Sequence, residues 1–260
     1  MSSARLGDIA ASVVMRAVAN ARNRAWFLLA GTLASFLIPV VQAETPQCSV
    51  AVDVGHFRAQ PGAMSARGVP EFEFNLALAR ELRSALQRRG CEVMMIGEDG
   101  DVISLRERTA LAKGAGLFLS VHHDSVKSQY LNEWNVDGLV RYYTDEFAGF
   151  SLFVSRDNPD VQRSLACASW IGAELRSAGY APSLYHADPI RGEDRPFADK
   201  RNGVHYYDQL VVLGTAAQGA VLLEAGVIVN RDQELLLMLP QTRESIAQAV
   251  ASGVRACLPE

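Results

Sequence analysis

The chain has 260 residues, 49% of them hydrophobic and 21% charged, with 25 basic against 29 acidic residues and a net charge of −4. Setting aside residues 1–43, with their four Arg and one Asp, leaves 217 residues, 21 basic and 28 acidic, at a net charge of −7. That balance argues against a general polyanion-binding surface, so nucleic acid is not an expected partner. The length is enough for one α/β domain with its own core.

The first 43 residues read as an address. Arg16, Arg22 and Arg24 precede the apolar run "WFLLAGTLASFLIPVV" at 26–41, and "VQA" places small residues before Glu44. This is the pattern of a secretory signal peptide over 1–43, with the working domain at 44–260. An uncleaved anchor is the alternative, although 16 apolar residues fall short of the roughly 20 that span a membrane. The mature form is expected to carry no stable membrane span, and either way the domain lies outside the cytoplasm.

All four cysteines, Cys48, Cys91, Cys167 and Cys257, fall in the exported part, with no CxxC pair. An even number in an oxidising compartment suggests two disulfides. Cys48 and Cys91 each precede an apolar strand-like run, and parallel neighbouring strands would bring them together. The pairing expected is Cys48 with Cys91 and, by elimination, Cys167 with Cys257, against an alternative of buried free thiols.

In chain order, "CSVAVDVG" at 48–55 predicts a strand, followed by a Gly, Ala and Pro-rich loop through Pro70. "EFEFNLALARELRSALQRRG" sets Phe72, Leu76, Ala79, Leu82 and Leu86 at helical spacing, between Pro70 and Gly90. "CEVMMIG" is a second strand, and "SLRERTALAKGAG" a helix with Ser104 and Glu107 spaced as a capping box. "LFLSV" is a third strand, ending at His122 and His123. Residues 125–149 have no clear period and read as an insertion or a mobile loop over the site. "GFSLFVS" at 149–155 predicts a strand, 161–179 a helix, and 185–203 a polar surface loop. "LVVLG" and "GAVLLEAG" read as strands, and a helix closes the pattern through "ESIAQAVASGVRACL".

Strand–helix alternation points to a single α/β domain: a mostly parallel twisted sheet with helices on both faces. Functional groups in such sheets collect at the carboxyl ends of the strands. His56, just past the first strand, and His122, at the end of the third, both occupy such positions, a plausible pair of metal ligands. Successive strand residues face opposite ways, so at most one of His122 and His123 serves the site. Glu224 ends an apolar strand, where an ionised carboxylate without a partner is costly, so it needs a partner, a metal or a catalytic reason. Glu71 and Glu73 share the first turn of the long helix, where acids are common for dipole reasons alone. Intervals of 15 and 51 residues between His56, Glu71 and His122 match no short metal motif.

"VAVDVGH" followed by "GA", "EFEFNLALARELRSALQRRG", "DVISLRERTALA", "LFLSVHHDS" and "GAVLLEAGVIVN" stand in a familiar order. Over most of 48–257 the chain resembles the zinc-dependent N-acetylmuramoyl-L-alanine amidases of the Amidase_3 type. The resemblance implies one Zn²⁺ per chain at the carboxyl edge of the sheet, held by His56, Glu71 and His122, with Glu224 catalytic. It implies that His123 lies on the other face and Glu73 outside the metal shell, because Asn75 and Leu76 stand where the family's Asn-Leu pair follows its ligand glutamate. The implied substrate is peptidoglycan and the implied reaction hydrolysis of the amide between N-acetylmuramic acid and L-alanine, for wall remodelling or daughter-cell separation. The location implied is the periplasm, since Cys48 does not sit in a lipobox. An activator protein acting on 125–149 is a further implied partner, because some members carry a blocking insertion. The chain departs from the family at Val54, which replaces a Pro, at Phe57 and Arg58, which replace glycines, and at Phe72, which replaces a Lys. These departures leave the ligands intact and alter the cleft wall. The ligands alone also fit another zinc hydrolase of wall fragments, a carboxypeptidase or deacetylase. An inactive wall-binding regulator is the alternative from another class.

Overall fold

The computed structural model describes residues 48–258; the expected signal segment lies outside them. Strand β1 (Ser49–Val54) is buried along nearly its whole length, Asp53 included, as befits an inner strand with parallel neighbours on both sides. Helix α1 (Glu71–Arg88) returns the chain to β2 (Glu92–Ile96), and α2 (Leu105–Leu111) leads to β3 (Leu117–Asp124). β2 and β3 both pair with β1 in parallel. No side chain caps α1. Its first N–H groups donate instead to the preceding loop, Glu71 to Ala63 O at 2.8 Å and Phe72 to Pro61 O at 2.9 Å, which satisfies part of the helix end, and the Glu71 carboxylate in turn accepts from Ala63 N at 3.1 Å. At α2 the serine half of the expected capping box forms, with Ser104 Oγ accepting from Glu107 N at 3.4 Å.

The second half contains β4 (Asn132–Val136), β5 (Leu139–Tyr143), β6 (Ser151–Val154), α3 (Val161–Ser177), β7 (Phe197–Asp199) and β8 (Val204–Tyr206). It continues with α4 (Val211–Thr215), β9 (Ala220–Val227), α5 (Arg231–Met238) and α6 (Pro240–Cys257). The seven-stranded sheet has the order β2-β1-β3-β9-β6-β8-β7. Only the β6–β9 and β7–β8 pairings are antiparallel. The architecture is therefore the mostly parallel α/β sheet expected. Helices α1, α3 and α6 cover one face around Phe72, Leu82, Leu119, Ile171 and Val250. The other face buries Phe118, Phe153, Leu213 and Leu222 beneath α2 and α4.

Four expectations need correction. β3 does not stop at His122 but runs on to Asp124. "LVVLG", read as a strand, is mostly helix α4 and lies outside the sheet, because five apolar residues carry no period that separates the two. Residues 125–149 are not irregular; they contain the antiparallel hairpin β4–β5, turned by Asp137 and Gly138, both at positive φ, the Asp-Gly signature of a two-residue hairpin turn. Residues 185–203 are not simply a polar surface loop, since Tyr185 and His186 are buried and β7 joins the sheet edge.

Both expected disulfides are present. Cys48–Cys91 ties the starts of β1 and β2, and Cys167–Cys257 ties α3 to the last turn of α6. Among the described residues no helix is long and apolar enough to cross a membrane.

Candidate metal centre

Three side chains meet at the carboxyl edge of the sheet. His56 lies two residues past β1, Glu71 opens α1, and His122 lies near the end of β3. Their potential ligand atoms all fall within 4.8 Å of one another. Glu71 sits between the imidazoles, Oε2 3.0 Å from His56 Nε2 and Oε1 3.1 Å from His122 Nδ1. Burial alone would raise the Glu71 carboxyl, but hydrogen bonds and charge from His122 and His56 hold it well below the usual carboxylate range. Glu73, on the same turn, is exposed and outside this group.

The backbone is shaped to allow this meeting. A side chain on Gly55 would put its Cβ 2.3 Å from His122 Nε2, and one on Gly62 would come within 2.3 Å of Glu71 Oε2 and 2.7 Å of His56 Cδ2. His56 itself has φ 66°, a left-handed conformation that costs a non-glycine residue of order 1–3 kcal/mol. Arg108 holds it there. Its buried guanidinium donates to His56 O, to Val54 O at 2.6 Å, to Val102 O at 2.6 Å and to Asp53 Oδ1 at 2.6 Å. Ser120 Oγ donates to the other Asp53 oxygen at 2.7 Å.

His123 points to the opposite face, as the strand period demands. It is buried against Phe74, and burial pushes its pKa down to about 3, so the ring is neutral. Its Nδ1 lies 2.8 Å from Asn75 Oδ1, while Asn75 Nδ2 donates to Glu71 Oε1 at 3.1 Å and to Gly55 O at 3.2 Å. Both of those partners can only accept, so the Asn75 oxygen must face His123, which then carries its proton on Nδ1. Asn75 thus links Glu71 to the loop that leads to His56.

Glu224 stands directly opposite His122 in the β3–β9 register. The residue is partly exposed, but its Oε2 is shut off from solvent and has no hydrogen-bond partner among the described residues. Burial, reinforced by the charges of Asp124 and Glu71, raises its pKa well above the usual carboxylate range. Asp124 is bonded on its far side to His186 Nε2 at 2.7 Å, and His186 Nδ1 to Glu193 Oε2 at 2.8 Å. Asn75, Arg108, Asp53 and His186 were not singled out as part of the site by the sequence reading. Their importance comes from long-range contacts, and only the buried position of a charged residue within an apolar period could have hinted at Asp53.

A His/Glu/His cluster at the carboxyl edge of a mostly parallel sheet, beside a half-buried glutamate, defines a candidate metal-dependent hydrolase. A family model described as N-acetylmuramoyl-L-alanine amidase, Amidase_3, matches residues 50–256, and the chain belongs to that family. AmiA of Escherichia coli (strain K12) is 25% identical over 233 residues, spanning 79% of this chain and 74% of that protein. AmiC of Neisseria meningitidis is 25% identical over 214 residues, 79% of this chain and 51% of its own, so this chain spans about half of that relative. Among solved structures, the amidase Ami1 from Mycobacterium smegmatis superposes with a TM-score of 0.64 at 20% identity, covering 81% of this chain and 96% of the other. CwlD from Clostridioides difficile, solved with the GerS lipoprotein, gives 0.59 at 20% identity, covering 81% and 98%. At that identity the structures speak for the fold.

Proposed function

We propose that this amidase carries out its reaction, hydrolysis of the amide between N-acetylmuramic acid and L-alanine in peptidoglycan, with one zinc ion held by His56, Glu71 and His122 and with Glu224 as proton carrier. One observation carries the reading: Glu71 lies 3.0 and 3.1 Å from the two imidazoles, and Glu224 stands beside His122 on the neighbouring strand. Two imidazole nitrogens and a carboxylate oxygen are a donor set suited to zinc. The side chain of His56 is 33% exposed, so the centre opens to solvent and substrate. Zinc bound there supplies Lewis acidity, polarising the scissile carbonyl and acidifying water. Glu224 takes a proton from the attacking water and returns it to the leaving amine nitrogen. A carboxyl with its pKa raised by burial suits both transfers near neutral pH. Asn75 orients Glu71, and Arg108 holds the strained His56 backbone.

Peptidoglycan lies outside the cytoplasm, and two disulfides suit an oxidising compartment. The periplasm, reached by cleavage after Ala43, is the proposed location. An activator acting on 125–149 belongs to the same proposal. Val140 and Tyr142 on the hairpin are exposed and offer a docking surface. None of the hydrogen bonds or ion pairs of the three ligand side chains involves this segment, which favours docking beside the centre over uncovering it.

The test is product analysis on purified peptidoglycan. Intact stem peptides with a new L-alanine amine should appear, vanish on chelation and return with zinc. Release of terminal D-alanine or of acetate would contradict the reading.

A further inference from the structure

We propose that Ser151 is a positioning residue for Glu224: its hydroxyl donates a hydrogen bond to Glu224 Oε2 and holds that oxygen back, so that Oε1 faces the attacking water. The proposal deepens the mechanism above, since it rests on Glu224 as the proton carrier.

The sheet sets three side chains in a row. Glu224 on β9 pairs with His122 of β3 on one side and with Ser151 of β6 on the other. Residues directly opposite in neighbouring strands point to the same face, so His122, Glu224 and Ser151 stand side by side. The rest of β6 agrees with this. Leu152 and Val154 pack on the face covered by α1, α3 and α6, while Phe153, which alternation places on the same side as Ser151, packs with Leu222 beneath α2 and α4.

Two buried polar atoms are left over where Ser151 meets Glu224. Ser151 is 0% exposed and its Oγ has no hydrogen-bond partner among the described residues, which is equally true of Glu224 Oε2. Leaving such groups unpaired is costly. Each supplies what the other lacks, because a serine has an O–H to give and an ionised carboxylate only accepts. Directly opposite residues of an antiparallel pair have Cβ atoms about 4.5–5.5 Å apart. The two further carbons of the glutamate side chain span that gap, and a turn about the Ser151 Cα–Cβ bond aims the hydroxyl at Oε2. Glu224 as a residue is partly exposed, so Oε1 is the oxygen that meets the site. A general base must sit about 2.6–3.2 Å from the atom whose proton it takes, and a carboxylate pinned at one oxygen keeps the other at that distance.

Stem-peptide release by the zinc-loaded full chain tests this in Ser151→Ala and Ser151→Thr, with metal content and thermal midpoint measured alongside. Ser151→Ala should lower kcat by roughly 10–100-fold, the range of one hydrogen bond to a charged group, with KM unchanged and about one zinc per chain. Ser151→Thr keeps the hydroxyl and should recover most of that loss; if the added methyl does not fit, its midpoint falls and the alanine variant decides alone. A kcat for Ser151→Ala within about 2-fold of wild type would overturn the proposal. So would a loss that tracks lost zinc, or an equal loss in Ser151→Thr at an unchanged midpoint, because each points away from a hydrogen bond to Glu224. Zinc-loaded wild type that releases no stem peptide would instead overturn the amidase mechanism beneath it.

Discussion

The two adjacent histidines have different tasks, set by the strand period. His122 reaches the candidate centre, while His123 is buried on the other face and bonds Asn75. His123→Phe fills the space without the Nδ1–H donor, leaving the Asn75 amide free to turn away from Glu71. The expected result is zinc affinity lower by about 10–100-fold, as for other groups that orient metal ligands, with a cooperative thermal transition retained. Competition with a chromogenic chelator measures it, and unchanged affinity would remove His123 from the positioning chain. Gly62→Ala should be more damaging, because its Cβ would occupy space held by Glu71 Oε2 and His56. It should abolish zinc binding, as read by metal content after desalting. Alternation along "LFLSVHHD" made it legible that only one histidine could serve the site, and the family resemblance made the choice. The Asn75 bridge was not legible, since it joins residues 20 and 48 apart whose contact exists only in the fold.

At the scale of elements, the segment around Tyr185–Ala187 is fastened by a buried charge cluster. Burial alone would lower the pKa of His186, but the carboxylates of Asp124 and Glu193 outweigh it and push the value up to about 9. Arg195 and Lys127 also reach Glu193, and the His205 ring lies 6.0 Å from that of His186. A pKa raised from 6.5 to about 9 contributes stability that is full below pH ~6.5 and lost as pH rises through ~9. Its size is on the order of 3 kcal/mol. Urea titrations should show wild-type stability falling between pH 6.5 and 9.5 while His186→Gln, less stable at the start, stays flat over that window; parallel curves would contradict the assignment. The polar composition of 185–203 hid this role, because charged residues that pair with each other read like solvated ones. The first three strands were legible as short apolar runs between turn residues, the first helix by its spacing between Pro70 and Gly90, and the second by its cap. Helix α4 and strands β7 and β8 are three to five residues long, too short for any period to register. The hairpin did carry a local signal, Asp137-Gly138 between Val136 and Leu139, which the sequence reading passed over.

For the molecule as a whole, the disulfides tie β1 to β2 and α3 to α6, elements that frame the sheet carrying the site. Cys48–Cys91 closes a separation of 43 residues around α1, and Cys167–Cys257 one of 90 residues around the sheet's second half. Loops of that length predict a loss of about 2–5 kcal/mol for each bridge removed. Denaturant curves of Cys48→Ala/Cys91→Ala and Cys167→Ala/Cys257→Ala check this, and no change in either midpoint would mean that the bridges do not stabilise the fold. The central claim is that His56, Glu71 and His122 hold a metal while Glu224 handles protons. It is tested most directly by zinc content and stem-peptide release measured side by side for the wild type and Glu224→Gln. The account predicts about one zinc per chain in both and release by the variant reduced by about 10²–10⁴-fold. Zinc absent from both, or release by Glu224→Gln at the wild-type rate, would contradict it.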